Sequence, residues 1–226
     1  MTQGRKRVVA LISGRGSNME ALLRVARLPG CPYEIVGVVS NVPGAKGLET
    51  AARAGVATAV VNHRSFETRE AFEEVLHETL LVFAADIVAC AGFMRIMTEG
   101  FVGRWEGRML NIHPSLLPLF RGLHTHRRAL KAGVKVHGAT VHFVTPELDG
   151  GPIIIQGAVP VLPDDDEGAL AARVLQVEHR IYPAALWQVA AGKCRLEEGR
   201  VKTSDWPVAE RARLFCPDVD ILPRQD

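Results

Sequence analysis

The apolar positions along the chain change period in a regular way. Residues 8–13 begin with an unbroken apolar run, the mark of a strand buried on both faces. After a Gly-rich loop, Met19, Leu22, Leu23 and Ala26 recur at i, i+3, i+4 and i+7. That is the stripe of an amphipathic helix, and Pro29 and Gly30 end it. The alternation then repeats. A strand is predicted over 35–40, a short helix around Leu48, Ala51 and Ala52 that Gly55 closes, and a strand over 57–61. Thr68 is placed to cap a helix with Phe72, Val75, Leu76, Leu80 and Phe83 as its buried stripe. A strand over 87–91, a short helix over 98–104 and a strand over 109–113 follow.

Beyond residue 113 the pattern changes. His124 and His126 precede a helical segment over 127–132. Thr140, His142 and Val144 alternate with Ala139, Val141 and Phe143, and a strand over 153–161 follows Gly150, Gly151 and Pro152. These read as strands of a mixed or antiparallel end. Asp164, Asp165, Asp166 and Glu167 stand before a long helix over 169–190, where acids cap the N-terminus and complement its dipole. Residues past Ser204 are polar and without period, a tail. The expected fold is α/β. It is a single domain with an open, mostly parallel twisted sheet, helices on both faces, and an antiparallel or mixed C-terminal part.

Composition narrows the function classes. The 226 residues suit one large domain or two small ones. Lys and Arg number 27 against 25 acids, too balanced for a non-specific nucleic-acid binder. No apolar run reaches the ~18 residues of a membrane span. The basic start leads into an apolar stretch shorter than the ~7–15 residues of a signal-peptide core, so a cytoplasmic protein is expected. Cys31, Cys90, Cys194 and Cys216 are far apart, which argues against a zinc knuckle or a disulfide scaffold. Cys90, in an apolar segment, reads as a buried hydrophobe. His124 and His126, with His137 and His142 nearby, invite a metal. Yet no carboxylate or cysteine falls at a ligand spacing, and none is expected.

Three polar features remain. Residues 14–18, Gly-Arg-Gly-Ser-Asn, lie between a buried strand and a helix. The free N–H groups of a helix's first turn make an anion site suited to phosphate, and Ser17 and Asn18 add side-chain donors. A tight turn without a ligand is the other reading. The ATP-binding loop is excluded because no Gly-Lys-Ser/Thr is present. The dinucleotide fingerprint fails because residue 19 is Met and the second strand ends in Ser40 and Asn41 instead of an acid. Asn111 and His113 lie two apart near the end of a strand that Pro114 stops, so their side chains share a face. An amide and an imidazole there suit an oxygen gaining negative charge, and His also moves protons near neutral pH. A hydrogen-bonded structural His is the alternative. Asp149, in a Gly-rich loop, is either a carboxylate that orients His113 or a turn residue bonding its own backbone.

Five blocks carry a resemblance: residues 13–18, 91–96, 110–118, 122–126 and 147–152. In this order they resemble the phosphoribosylglycinamide formyltransferases of the folate-dependent formyltransferase family, over roughly residues 7–204. The resemblance implies a Rossmann-like formyltransferase domain over 1–204, with a phosphate-binding half over about 1–106 and a folate and catalytic half over about 107–204. Residues 205–226 form the tail. It implies formyl transfer from 10-formyltetrahydrofolate to the amine of glycinamide ribonucleotide in purine synthesis, without a metal. The implied catalytic residues are Asn111, His113 and Asp149. The implied substrate contacts are Gly16, Ser17, Asn18, Met19 and Glu20 at the phosphate, and Glu178 at the ribose. The folate is implied along Met94, Arg95, Ile96 and Met97, with Asn111, Thr145, Leu148 and Asp149, and Arg69 at its glutamate tail. Partners are then two small molecules, with no nucleic acid or membrane, and the chain acts as a monomer or homodimer.

Two departures from the family pattern stand out. Leu175 lies one turn before Glu178, where a polar contact is possible, and Pro146 stiffens the loop over 145–149. The nearest rivals, formyltetrahydrofolate hydrolase and methionyl-tRNA formyltransferase, share the Asn-x-His and Asp set. The first is expected to carry an extra N-terminal domain and the second a C-terminal RNA domain.

Overall fold

The computed structural model describes residues 4–204; the tail expected over 205–226, with Cys216, lies outside them. In chain order the elements are β1 (Lys6–Ile12), α1 (Ser17–Ala26), β2 (Tyr33–Ser40), α2 (Lys46–Arg53), β3 (Thr58–Val60), a 3-10 turn (His63–Ser65), α3 (Arg69–Val82) and β4 (Ile87–Cys90). Then come α4 (Glu99–Arg104), β5 (Met109–His113), α5 (Thr125–Ala132), β6 (Val136–Phe143), β7 (Ile153–Pro160), α6 (Glu167–Ala190), β8 (Cys194–Glu197) and β9 (Arg200–Thr203).

Seven strands form one sheet in the order β3-β2-β1-β4-β5-β6-β7. The first five run parallel, and β6 and β7 pair antiparallel, which is the mixed end that the change of period predicts. Val8 to Ile12 are wholly buried because helices cover both faces of β1. Val8, Ala10 and Ile12 pack with α1 and α6, while Val9 and Leu11 pack with α3 and α4. The chain leaves β1 for β2 on one side and returns as β4 on the other. Open α/β sheets bind their ligands in the crevice above such a reversal.

Side chains cap α3, α4 and α6; the caps at Thr68 and within the acidic run are as the sequence predicts, and the cap at Thr98 stands where the helix itself was expected to begin. Thr68 accepts from Ala71 N at 3.1 Å, Thr98 from Phe101 N at 3.3 Å, and Asp166 from Ala169 N at 2.7 Å. Asp165 instead holds Arg173 with two bonds of 2.7 and 2.8 Å. Tyr182, wholly buried on α6, donates toward Cys90 O and Leu110 O and so ties α6 to the adjacent ends of β4 and β5.

Three expectations need correction. On α3, Phe72, Leu76 and Leu80 are buried, but Val75 is exposed and Glu73 is buried in its stead. The packed face of α3 is turned toward α4, which offers Glu73 polar partners. His126 lies inside α5, because that helix begins at Thr125. Finally, α6 is followed by the hairpin β8–β9, which periodicity passed over. Each strand has four residues, and its two-residue turn is Glu198-Gly199, both at positive φ, where Asn-Gly or Asp-Gly would have been the legible signal.

Candidate active site

Asn111 and His113 project from the C-terminal end of β5 into a cavity of about 630 Å³. This is an ordinary volume for a small-molecule site. One wall is the segment from Gly92 to Met97, and the other is the loop from Val144 to Asp149. Cys90 and Val102 also line it. Burial pushes the Cys90 thiol up to about 12, so it stays protonated and inert.

The three polar residues converge there. Asp149 Oδ2 lies 3.4 Å from His113 Nδ1, and both side chains are under one-tenth exposed. The same carboxylate oxygen accepts from Gly122 N at 2.8 Å. The other ring nitrogen, His113 Nε2, is 3.1 Å from Phe120 O. Each nitrogen of His113 therefore faces a hydrogen-bond acceptor. Nε2 is turned to a backbone carbonyl. The Nδ1 contact is longer than a usual hydrogen bond, so that N–H is the one with room to serve a ligand.

His142 completes the cluster. It stands directly opposite Asn111 in the antiparallel β5–β6 ladder. Its Nδ1 lies 2.8 Å from Phe143 O, which makes Nδ1 the protonated nitrogen. Burial holds its pKa below the ordinary histidine value, so the ring stays neutral and Nε2 is an acceptor. Asn111 Nδ2 is 3.2 Å from that Nε2. The contact fixes which way the Asn111 amide points and leaves its second N–H unspent.

Buried hydrogen bonds anchor the loops behind these groups. Thr140 donates to Ser115 O at 2.7 Å and accepts from Leu117 N at 3.0 Å, and Gln156 donates to Leu117 O at 2.8 Å. Residues 115–117 are thus tied to β6 and β7. Asp149 itself sits at φ +49°, a left-handed conformation that Asp tolerates better than most residues. Gly151 is required for close approach: a Cβ there would lie 1.8 Å from Phe143 O.

The Gly-rich loop turns as its composition predicts. Gly16, at φ +77°, precedes the first residue of α1, and a Cβ there would press on Met19 and Gly47. The N–H groups of Ser17, Asn18 and Met19 open α1 and point out of its first turn. The N–H of Glu20 donates to Gly16 O at 2.9 Å, so it is already engaged. The Asn18 side chain is engaged as well: Nδ2 donates to Glu178 Oε2 at 2.5 Å, leaving the buried Oδ1 without a partner among the described residues. Burial raises the Glu178 pKa, and the bond from Asn18 works against that rise. Residues 14–18 do not line the cavity. They adjoin it through Ser13, whose N–H donates to Gly92 O at 3.1 Å and whose hydroxyl accepts from Met94 N at 2.8 Å.

Met94, Arg95, Ile96, Met97, Thr145, Leu148 and Asp149 all lie on the cavity wall. Phe93 is packed into the core, whereas Met94 and Ile96 are exposed apolar side chains facing the opening. Arg69, the first residue of α3, is exposed and is not on that wall. Sequence reasoning weighed His142 only as a metal ligand. The alternation over 139–144 was the available signal that it shares a face with Thr140. The backbone groups of Phe120 and Gly122 left no signal except the glycine. Among the described residues no cluster of three or more His, Cys, Asp or Glu could hold a metal ion, and no helix is long and apolar enough to cross a membrane.

With the geometry in view, comparison with known proteins is specific. A family model described as Formyl transferase matches residues 6–186. The phosphoribosylglycinamide formyltransferase of Escherichia coli is 46% identical over 191 residues, which are 84% of this chain and 90% of that protein. The trifunctional purine biosynthetic protein adenosine-3 of Bos taurus is 50% identical over 196 residues, 86% of this chain but only 19% of that protein's length. Among solved structures, glycinamide ribonucleotide transformylase 1 from Symbiobacterium toebii superposes with a TM-score of 0.87 at 45% identity, covering 90% of this chain and 96% of that one.

Proposed function

This chain belongs to the formyl transferase family, and from that premise we propose that it formylates the amine of glycinamide ribonucleotide with 10-formyltetrahydrofolate, a step of purine synthesis. The observation that carries the reading is the convergence of Asn111, His113 and Asp149 on one cavity that adjoins the N-terminus of α1. The apolar walls suit a flat heteroaromatic ring. The first turn of α1 suits a phosphate, and Glu178 beside Asn18 suits ribose hydroxyls.

The proposed chemistry is direct transfer. The amine nitrogen attacks the formyl carbon, and the carbonyl oxygen becomes an oxyanion. The unspent N–H of Asn111 and the Nδ1–H of His113 are the donors assigned to that oxygen. Donors aimed at developing charge in a dry site are worth far more than in water. Asp149 holds His113 and balances its charge. The bond from the formyl carbon to the folate nitrogen then breaks, and the proton lost by the amine ends on that nitrogen, with Asp149 assisting its passage. No covalent bond to the enzyme forms.

On this reading the phosphate-binding half, to about residue 106, and the catalytic half after it share one cavity. Its walls come from residues on both sides of that boundary. The partners are the two small molecules, and the chain works in the cytoplasm as a monomer or homodimer.

The test is steady-state transfer from 10-formyltetrahydrofolate to glycinamide ribonucleotide, with free formate measured in the same reaction. Formylated product matching folate consumption is the expected result. Formate without product identifies a hydrolase, and transfer to methionyl-tRNA alone identifies the tRNA enzyme. Either outcome overturns the proposal.

A further inference from the structure

Two polar side chains, the buried Glu73 and the half-buried Ser13, take no part in the chemistry above, yet both end on the segment that walls the cavity. Glu73, only 3% exposed, projects from α3 toward the start of α4. Its Oε1 accepts from Thr98 N at 2.8 Å, and its Oε2 accepts from the Thr98 hydroxyl. Among the described residues no cation pairs with it, since Arg104 of α4 pairs with the neighbouring Glu74. A buried carboxylate is costly unless hydrogen bonds satisfy it, and an apolar side chain would fill this place more cheaply. Thr98 in turn caps α4, whose Val102 lines the cavity.

The other end of the segment is tied in the same manner. Ser13, at the end of β1, accepts from Met94 N at 2.8 Å and donates to Asn41 Oδ1 at 2.5 Å. Asn41, 2% exposed, directly follows β2 at the place where a dinucleotide-binding sheet would carry an acid. Between these anchors Arg95, Ile96 and Met97 belong to no helix or strand, and they form part of the cavity wall. Their backbone N–H groups donate to nothing among the described residues.

We propose that Glu73 and Ser13 are positioning residues: they hold residues 94–98 between two fixed points, so that the unbonded backbone groups of the cavity wall stay in place for the reduced folate. The inference rests on the folate reading of the cavity and adds residues that touch no ligand. A segment without internal hydrogen bonds would lose conformational entropy on binding, and two hydrogen-bonded anchors remove most of that loss beforehand. A purely structural Glu73 would only join α3 to α4.

The two roles separate by kinetics. Glu73→Ala, Glu73→Gln and Ser13→Ala, each in the full chain, are assayed for the KM of each substrate and for Tm. Glu73→Ala and Ser13→Ala are expected to raise the folate KM about tenfold or more, as loss of a charge-assisted or buried hydrogen bond does. The KM for glycinamide ribonucleotide is expected to stay within about twofold of wild type. Glu73→Gln is expected to restore the folate KM, because an amide still accepts from Thr98 N and donates to its hydroxyl. A fall in Tm with both KM values unchanged, a parallel rise of both, or a Gln variant as impaired as Ala overturns the proposal. If Glu73→Ala does not fold, Ser13→Ala and Glu73→Gln decide it alone. Wild-type protein without saturable dependence on 10-formyltetrahydrofolate refutes the functional reading itself. Wild-type transfer with unaltered folate KM in the variants refutes only the anchors.

Discussion

Replacing Asp149 by Asn removes charge and keeps shape. Asp149 Oδ2 accepts from Gly122 N at 2.8 Å and faces His113 Nδ1 at 3.4 Å. An amide oxygen at that point preserves both contacts. The amide NH2 then turns toward Nε2 of His142, an acceptor now 3.9 Å from Asp149 Oδ1. Only the negative charge is lost. On the proposed chemistry His113 is charged as the oxyanion forms, and two unit charges 3.4 Å apart attract by about 5 kcal/mol at an effective dielectric constant of ~20. That corresponds to a ceiling of roughly 3.5 decades in rate. The part already present before the transition state does not accelerate the reaction, so kcat is expected to fall by about 10²–10³. Tm is expected to move by no more than about 2 °C. Asp149→Ala, by contrast, strips Gly122 N of its acceptor and costs a further ~1–3 kcal/mol of stability. The assay is formyl transfer at saturating substrates beside thermal unfolding of both variants. An Asn variant keeping more than about a third of wild-type kcat would refute the electrostatic argument. Equal destabilisation by Asn and Ala would refute the argument from shape.

Other outcomes follow from the same coordinates. Glu178→Ala deprives Asn18 of its buried acceptor and is expected to raise the KM for glycinamide ribonucleotide about tenfold with folate KM unchanged; a selective folate effect would misplace the ribose. Ser17→Asp sets a like charge at the first turn of α1 and is expected to raise the same KM strongly, and an unaltered KM would move the phosphate elsewhere. Stability is expected to fall with acidification. Burial, together with His126 and His113, holds the His137 pKa at about 4 against an ordinary 6.5. The unfolded chain therefore takes up the proton first, so stability is complete above about pH 6.5 and is lost as pH drops toward 4. The pKa values of His126 and His142 are lowered too, by burial first, and act in the same direction. Tm measured from pH 7 to about pH 4.5 should show this decline, and His137→Leu should flatten it; an identical slope in that variant would assign the effect to other groups.

Local pattern alone laid out the alternating strands and helices as far as β5, the change to antiparallel pairing, the cap at Thr68, the capping role of the acidic run 164–167, and the shared face of Asn111 and His113. Those features depend on neighbours within about one turn of helix or two residues of strand, which is the range over which an apolar pattern and a cap act. What sits across the sheet is another matter. The bond from Asn111 to His142 exists because β5 and β6 pair antiparallel in one register, and a one-residue slip would turn His142 to the opposite face. The meeting of Asp149 with His113 needs the β6–β7 loop to fold back over the end of β5, where the carboxylate accepts from Gly122 N. Glu73 is buried against the amphipathic pattern because α4 brings Thr98 to it, and Arg69 lies off the cavity wall because α3 begins away from the opening. Partners 25 or more residues apart are chosen by strand order, register and the direction in which each helix packs, and no local window of the chain records those choices.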